Sequence, residues 1–479
     1  MKGFHCCFLC AIVLSVSNVA YTQSLNPLQF GLEDATNGTE RYEVLLRCHQ
    51  TAQEKGATIN YKGIDTIQIE IPKNNIPIPL TDNVDFYGVT IVVENKQKNL
   101  PLFEMKDDMI SIEVDGYGVD NGNFKRYDKL KEGISLLIVE DGNPWCIRQG
   151  YDTKVFRKDV IVVKSGTALN KPIISYSSPQ SNPIVRFRKV DNTKKTIKNL
   201  NFVRAPESTF ITYCFRIENQ YNIRLNNILI STPLVTSIYG DAAIQLENCA
   251  NVSLNDITIL GTYSQEDKFG YGLSLENVYN LKVNNLYARS KWGIFGSNCL
   301  QKISLKKCDL NRFDIHCYGR DLKAVRCKFS GLYNQVSSVF GTVLFNKCEF
   351  ENFIPLLIES SYNAYTAFDL VFKNCMFHLD DKHNYIMTLF GVPEVNNERP
   401  ELKRKSLPNI TMKDCTVSLS EGLESWELVK TGGVYYKDKF DYISSIDIKG
   451  LKTLGNKEVV FKLFSESIKT TDSINVKIR

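Results

Sequence analysis

The stretch FDIHCYGRD, residues 313–321, with Arg312 just ahead of it, concentrates charge and a histidine in a chain that has only five histidines. In an extended strand alternate residues share a face, and side chains two apart stand about 7 Å from one another. This places Arg312, Asp314 and His316 in one outward row, with Ile315 and Cys317 turned inward. Tyr318 and Arg320 are expected in the turn that follows. Such a row has the parts for removing a proton beside a carboxylate. That chemistry needs a cation to neutralise the carboxylate, a base and an acid. Arg312 or Arg320 would neutralise, His316 or Lys291 would take the proton, and Tyr318 or Tyr362 would supply one. Asp314 would orient the histidine. Trp292, Asn334, Gln335 and Tyr362 are the expected substrate contacts. The competing structural reading is a solvated ionic ladder, with Lys291–Trp292 a packed surface pair and the tyrosines at corners. His49, His378 and His383 are read as structural or loop residues. No metal site is assigned, although Asp380–Asp381 and Glu266–Asp267 leave Ca²⁺ open, without a specific ligand spacing.

Positioning such a row requires a repeating scaffold, and one is legible. IKNLNF (197–202), LNNILI (225–230), LNDITI (254–259), VNNLYA (283–288), LKKCDL (305–310), AVRCKF (324–329), FNKCEF (345–350), FKNCMF (372–377), MKDCTV (412–417) and IKGLKT (448–453) align. Their fourth position reads Leu200, Ile228, Ile257, Leu286, Cys308, Cys327, Cys348, Cys375, Cys415, Leu451. A second column, in IENQYNI, LENCANV and LENVYNL, repeats Asn219, Asn248 and Asn277, with Asn298 displaced by one. Short alternating strands at this period, with no helices between, argue a solenoid of stacked β-coils. Leu, Ile and Cys suit an inward ladder, because free cysteine packs as a small hydrophobe. Asparagine suits a turn ladder, since it tolerates the left-handed conformation. On this scaffold Asp314 and Glu359 fall about two coils, ~10 Å, apart. That is the upper edge of the separation an inverting hydrolase uses.

Residues 1–22 read as a signal peptide, with Lys2 before an apolar Phe8–Val16 core and small residues before the cut. The chain is then expected to be exported to the periplasm or medium, with no integral membrane segment after cleavage. Cys6, Cys7 and Cys10 leave with that leader, and the odd number that remains of the 14 cysteines argues against a complete disulfide framework. Net charge is +5, mild and interspersed, which excludes a nucleic-acid stripe and fits an anionic partner. Asn37 and Glu40 open, and Gly56 closes, an amphipathic helix over 37–56. Residues 100–195 fit the repeat badly and are expected to be irregular or inserted early coils. Regular coils are expected over 196–470, within one domain spanning 23–479.

The capping helix, the "IP" strands that follow it and the coil repeat resemble the right-handed parallel β-helix of the pectate-lyase-like superfamily. The resemblance implies an all-β, single-stranded right-handed solenoid with an N-terminal capping helix. It further implies a secreted protein acting on polysaccharide. Together with the polar row it points to a lyase that cleaves a uronic-acid-containing, anionic polysaccharide such as pectin or a glycosaminoglycan by β-elimination, acting as a monomer. A glycoside hydrolase and a non-catalytic glycan-binding surface protein are the alternatives. The paired-aspartate, G-H-G and R-I-K signatures of polygalacturonase-like hydrolases are missing, and VRAPES (203–208) lacks the second arginine of a lyase signature. No catalytic residue is therefore carried over.

Overall fold

A computed structural model describes residues 23–148, 153–177, 181–210, 212–232, 243–261, 271–288, 293–359, 367–389, 408–431, 444–455, 459–464 and 474–479. The signal-peptide reading lies outside these residues, as do most of the long loops that follow the early and late coils.

Each coil is one extended run bent at its corners. The strand Tyr271–Ala288 pairs in parallel with Ile244–Gly261 along its whole length, from Ile244↔Leu273 to Ile259↔Ala288. The next coil divides the same path between Gly293–Lys306 and Asp309–Leu310. Three strand directions per coil result, here called faces A (through Leu273–Glu276), B (through Leu281–Asn284) and C (through Leu286–Ala288).

The bends are made by residues in the left-handed region. Asn219, Asn248 and Asn277 hold φ of 59°, 53° and 57° at the end of face A, and Asn199, Asn227, Asp256 and Asn285 do the same between faces B and C. Short amide side chains tolerate this backbone and bond to the coil beside them. Asn248 Nδ2 donates to Asn219 Oδ1 at 3.2 Å and Asn277 Nδ2 to Asn248 Oδ1 at 2.9 Å. The next rung is Cys299, φ 55°, not Asn298. The amide ladder stops there, and Asn277 Oδ1 has no hydrogen-bond donor.

Inside, the fourth-position column is the core. Leu200, Ile257 and Cys415 are fully buried, and Cys308, Cys327, Cys348 and Cys375 are 2% exposed. All nine cysteines with described side chains are free and buried.

The helix Gly38–Lys55 closes the first coils with Tyr42, Val44, Leu45, Cys48, His49 and Ala52 turned inward. Asn37 caps it by accepting from Glu40 N, while the Glu40 carboxylate turns back to Thr36 N and Oγ1. His49 is buried between the Pro79 carbonyl and the Tyr61 hydroxyl, both at 2.8 Å. Burial drops its pKa to about 4, so it sits neutral in the core.

Between the strands Leu100–Lys106 and Lys195–Arg204 the chain leaves the solenoid. It builds a five-stranded antiparallel sheet in the order Thr167–Ala168, Thr153–Lys164, Ile134–Arg148, Pro183–Val190, Ile110–Ile112. Alternation splits the sheet's apolar residues between two sides. Leu137, Val139, Ile161 and Val163 pack under Phe124 and Tyr176. Leu136, Ile138, Val160 and Val162 lie on Tyr221, Ala250 and Tyr279 of the solenoid. The inserted sheet thus covers the corner between faces A and B.

Candidate functional site

In-register parallel strands stack equivalent positions into rows. On the outside of face A one row runs Arg216, Gln245, Ser274, Gly296, Asp314, Gln335, and the row beside it runs Glu218, Glu247, Glu276, Asn298. Between the coil of Asn298 and that of Asp314 the register shifts, so that Ser297 pairs with Ile315 and Asn298 with Cys317. His316 is the extra residue of that bulge, and a bulge re-aims its side chain.

Arg312, Asp314 and His316 do come together, but not as an open row. Arg312 and Asp314 are 1% and 0% exposed. Arg312 Nε donates to Asp314 Oδ1 at 3.1 Å, a second guanidinium nitrogen donates to Oδ2, and the guanidinium lies 4.0 Å above the Tyr333 ring. Burial works against the arginine's charge, and Asp314 and Tyr333 outweigh it, raising its pKa. A buried, bidentate pair on an aromatic face is committed to the fold. Arg312 and Asp314 therefore spend their charges on each other inside the fold, where the sequence expectation had both in an open row.

His316 keeps part of its surface. Its side chain is 21% exposed and lies 3.4 Å from Asp314 Oδ2. Tyr271 OH lies 3.0 Å from His316 Nε2. The tyrosine reaches over Gly296, where a Cβ would sit 2.6 Å from its ring carbons. Only glycine leaves that space.

The remaining expectations divide. Tyr318 and Arg320 are not in a turn; the strand Phe313–Val325 runs through both. Tyr318 is fully buried, with its hydroxyl bonded to the backbone of Lys158 in the inserted sheet. Arg320 donates to the Ile173 carbonyl at 2.7 Å. Both hold the insert against the solenoid. Asn334 is fully buried, accepting from Phe313 N and donating to Asn352 Oδ1 and the Pro355 carbonyl. Gln335 is 5% exposed, 3.4 Å from Ser337 Oγ. Asn334 thus ties neighbouring coils together, and both amides lie buried where the sequence expectation had them open to a substrate. Lys291, Trp292 and Tyr362 lie outside the described residues. Glu359 ends the strand Ile354–Glu359, paired with Ser337, and its side chain is likewise outside the described set.

The structure adds a row that the sequence reading passed over. Glu218, Glu247 and Glu276 are successive rungs. Their signal was in the same fragments that reveal the asparagine ladder, each glutamate standing directly before its asparagine. Glu218 is neutralised by Lys106 at 3.0 Å and Arg216 at 3.1 Å. Glu247 has Arg216 at 3.9 Å. Glu276 has Lys158 of the insert at 3.7 Å and accepts from Asn298 Nδ2 at 3.0 Å. Burial raises the Glu276 pKa, against Lys158 and Asn298, and the charge on Glu247 adds to the rise. About a third of each of these two side chains still reaches solvent, 35% for Glu247 and 31% for Glu276. The insert thus supplies one wall of a surface on which two neighbouring carboxyls sit in different environments.

For metals, Asp380 spends its Oδ1 on the backbone of Lys382 and His383, and Glu266–Asp267 lie outside the described residues. Among the described residues the one group with convergent ligand atoms is Glu349, Glu351 and His378, on face C.

No family model and no curated protein matches the chain. Solved structures do. The tailspike protein gp49 of Pseudomonas phage LKA1 superposes with a TM-score of 0.57 at 11% identity, over 94% of this chain and 81% of that one. The gp54 tailspike of Acinetobacter baumannii bacteriophage AP22, solved with a capsular saccharide, gives 0.46 at 10% identity, over 95% and 79%. The catalytic domain of a GH87 α-1,3-glucanase gives 0.41 at 9% identity, over 93% and 67%. What the first of these establishes, together with the coil pairing, is the fold: a right-handed parallel β-helix.

Proposed function

We propose that this chain is a polysaccharide-cleaving β-helix protein whose working surface is the outside of face A, and that it cuts by hydrolysis. One observation carries the reading. Glu276 and Glu247 are in-register neighbours of unequal environment, one with its pKa raised and the other beside Arg216. A carboxyl whose pKa burial raises, next to one paired with an arginine, is the arrangement an acid and its partner use. Strands about 4.8 Å apart put those carboxyls near the ~5 Å separation of retaining glycosidases. Glu276, held by Asn298 and Lys158, protonates the glycosidic oxygen. Glu247 attacks the anomeric carbon, and Glu276 then deprotonates the water that releases the sugar with its configuration retained.

Incubation with a panel of neutral and uronic-acid polysaccharides tests this. New saturated reducing ends are expected. Glu276→Gln should lower the rate by about 10²–10⁴-fold, the usual range for a general acid, while Glu218→Gln leaves it within a few-fold.

A second reading rests on Tyr271 OH at 3.0 Å from His316 Nε2, an acid–base pair suited to β-elimination of a uronic-acid polymer. It requires the ultraviolet absorbance of an unsaturated uronate, abolished by His316→Ala and indifferent to Glu276→Gln. That outcome would replace the hydrolytic reading. Saccharide affinity with no product from any polymer would leave a binding protein.

A further inference from the structure

Face C carries a second cluster on the far side of the coil from the glutamate row. Phe350 and Phe377 are paired across two neighbouring coils and stack inside at 4.9 Å. Alternation therefore turns Glu349 and Glu351 outward on one strand and His378 outward on the next. One ligand atom from each lies within 4.8 Å of the others, with His378 Nε2 3.0 Å from Glu349 Oε1. Glu351 and His378 also line a cavity of about 560 Å³, shared with Phe353, Asp380, His383 and Ser418.

His383 supplies an independent observation. Its side chain is 10% exposed, and its Nδ1 lies 3.0 Å from Asp380 Oδ1. Its Nε2 is buried with no hydrogen-bond partner. An imidazole with a carboxylate beside one ring nitrogen and the other nitrogen buried and unclaimed on a cavity wall has the makings of a metal ligand. A ring with no such task would lose the worth of a hydrogen bond by burying that nitrogen. The exposed Phe353 ring lies against His383 and would swing aside to open it.

We propose that Glu349, Glu351 and His378, joined from the wall of the same cavity by His383 once Phe353 moves aside, form a binding site for a divalent transition metal of the zinc type. Two imidazoles and two carboxylates match that ion's donor preference and its four-fold coordination. Lys328 now holds Glu351, Nζ to Oε1 at 2.6 Å, and is the cation the metal displaces.

The test is titration of the chelator-stripped full chain with Zn²⁺ against a competing chelator. One equivalent is expected at this site. His378→Ala and His383→Ala should each weaken it by at least ~10-fold, the scale on which losing a ligand or its support is felt. Lys328→Met should strengthen it. His378 is 37% exposed, so its variant keeps the fold. A wild-type chain that binds no Zn²⁺ overturns the proposal. So does binding that survives either histidine substitution, which would place the ion elsewhere, on the cysteines for instance.

Discussion

At the scale of single residues, burial separates side chains that look alike in the sequence. Arg312, just ahead of the strand, and His316, within it, stand four apart, yet one is 1% exposed and the other keeps about a fifth of its side chain in solvent. The expected consequences differ accordingly. Arg312→Ala leaves Asp314 as an uncompensated buried charge, and a loss of about 3–5 kcal/mol is expected. His316→Ala, at a partly exposed bulge, should cost about 1 kcal/mol or less. Urea unfolding of the two variants checks this. Equal losses would mean that the Arg312–Asp314 pair does not bear on stability. The same argument explains why any activity lost in Arg312→Ala would report unfolding rather than chemistry.

At the scale of elements, the inserted sheet is the part whose attachment matters most, because it covers the A–B corner and delivers Lys158 to Glu276. Behind that contact lies Asp159, 3% exposed, accepting from Ile173 N and Tyr176 OH, both at 3.0 Å. Burial lifts its pKa to about 7 from 3.8, against those hydrogen bonds and the nearby Arg157 and Arg320. The folded pKa is above the unfolded one, so folding takes up a proton. The contribution is therefore fully favourable below about pH 3.8, declines as pH rises towards 7, and is lost above it. Asp159→Asn should raise the melting temperature at pH 8 and have a progressively smaller effect as the pH falls towards 4. A shift of equal size at both ends of that range would contradict the assignment. Within the coils the contrast is sharper still. Truncating Leu286 to Ala in the interior column should cost about 2–5 kcal/mol, whereas outward positions away from buried pairs tolerate change.

Across the whole molecule, the described thiols are kept out of reach. Cys308, Cys327, Cys348, Cys375 and Cys415 are consecutive rungs of one interior column, and each is 2% exposed or less. Burial pushes the Cys214 and Cys299 thiols well above their usual pKa and holds Cys48 and Cys249 up at about 12. The thiolate is the reactive form. Alkylation of the native chain is expected to modify none of the nine described cysteines, and alkylation in denaturant all of them, as read by peptide mass spectrometry. Native labelling of Cys308 or Cys375 would show that the column opens. Among the described residues no helix is long and apolar enough to cross a membrane.

The sequence by itself determined the coil. Periodicity is a local property, and a column of Leu, Ile and Cys one position past a left-handed Asn, Asp, Lys or Arg is readable without knowing what lies beside it. It also determined the capping helix, whose Asn37 and Gly56 act within a turn or two of themselves. What it left open was everything decided by contact across coils or by the inserted sheet. Alternation located the face of Arg312 and Asp314, but not that they would be buried. It assigned Tyr318 and Arg320 to a turn because nothing local announces the sheet they hold. The bulge at His316 exists only in register with Ser297 and Asn298 of the coil before. The glutamates before the asparagine ladder were visible as letters. What raises the pKa of Glu276 is burial, with the charge of Glu247 adding to it, and both come only with stacking. Burial and register are sums over neighbours distant in sequence, and only the folded chain performs that sum.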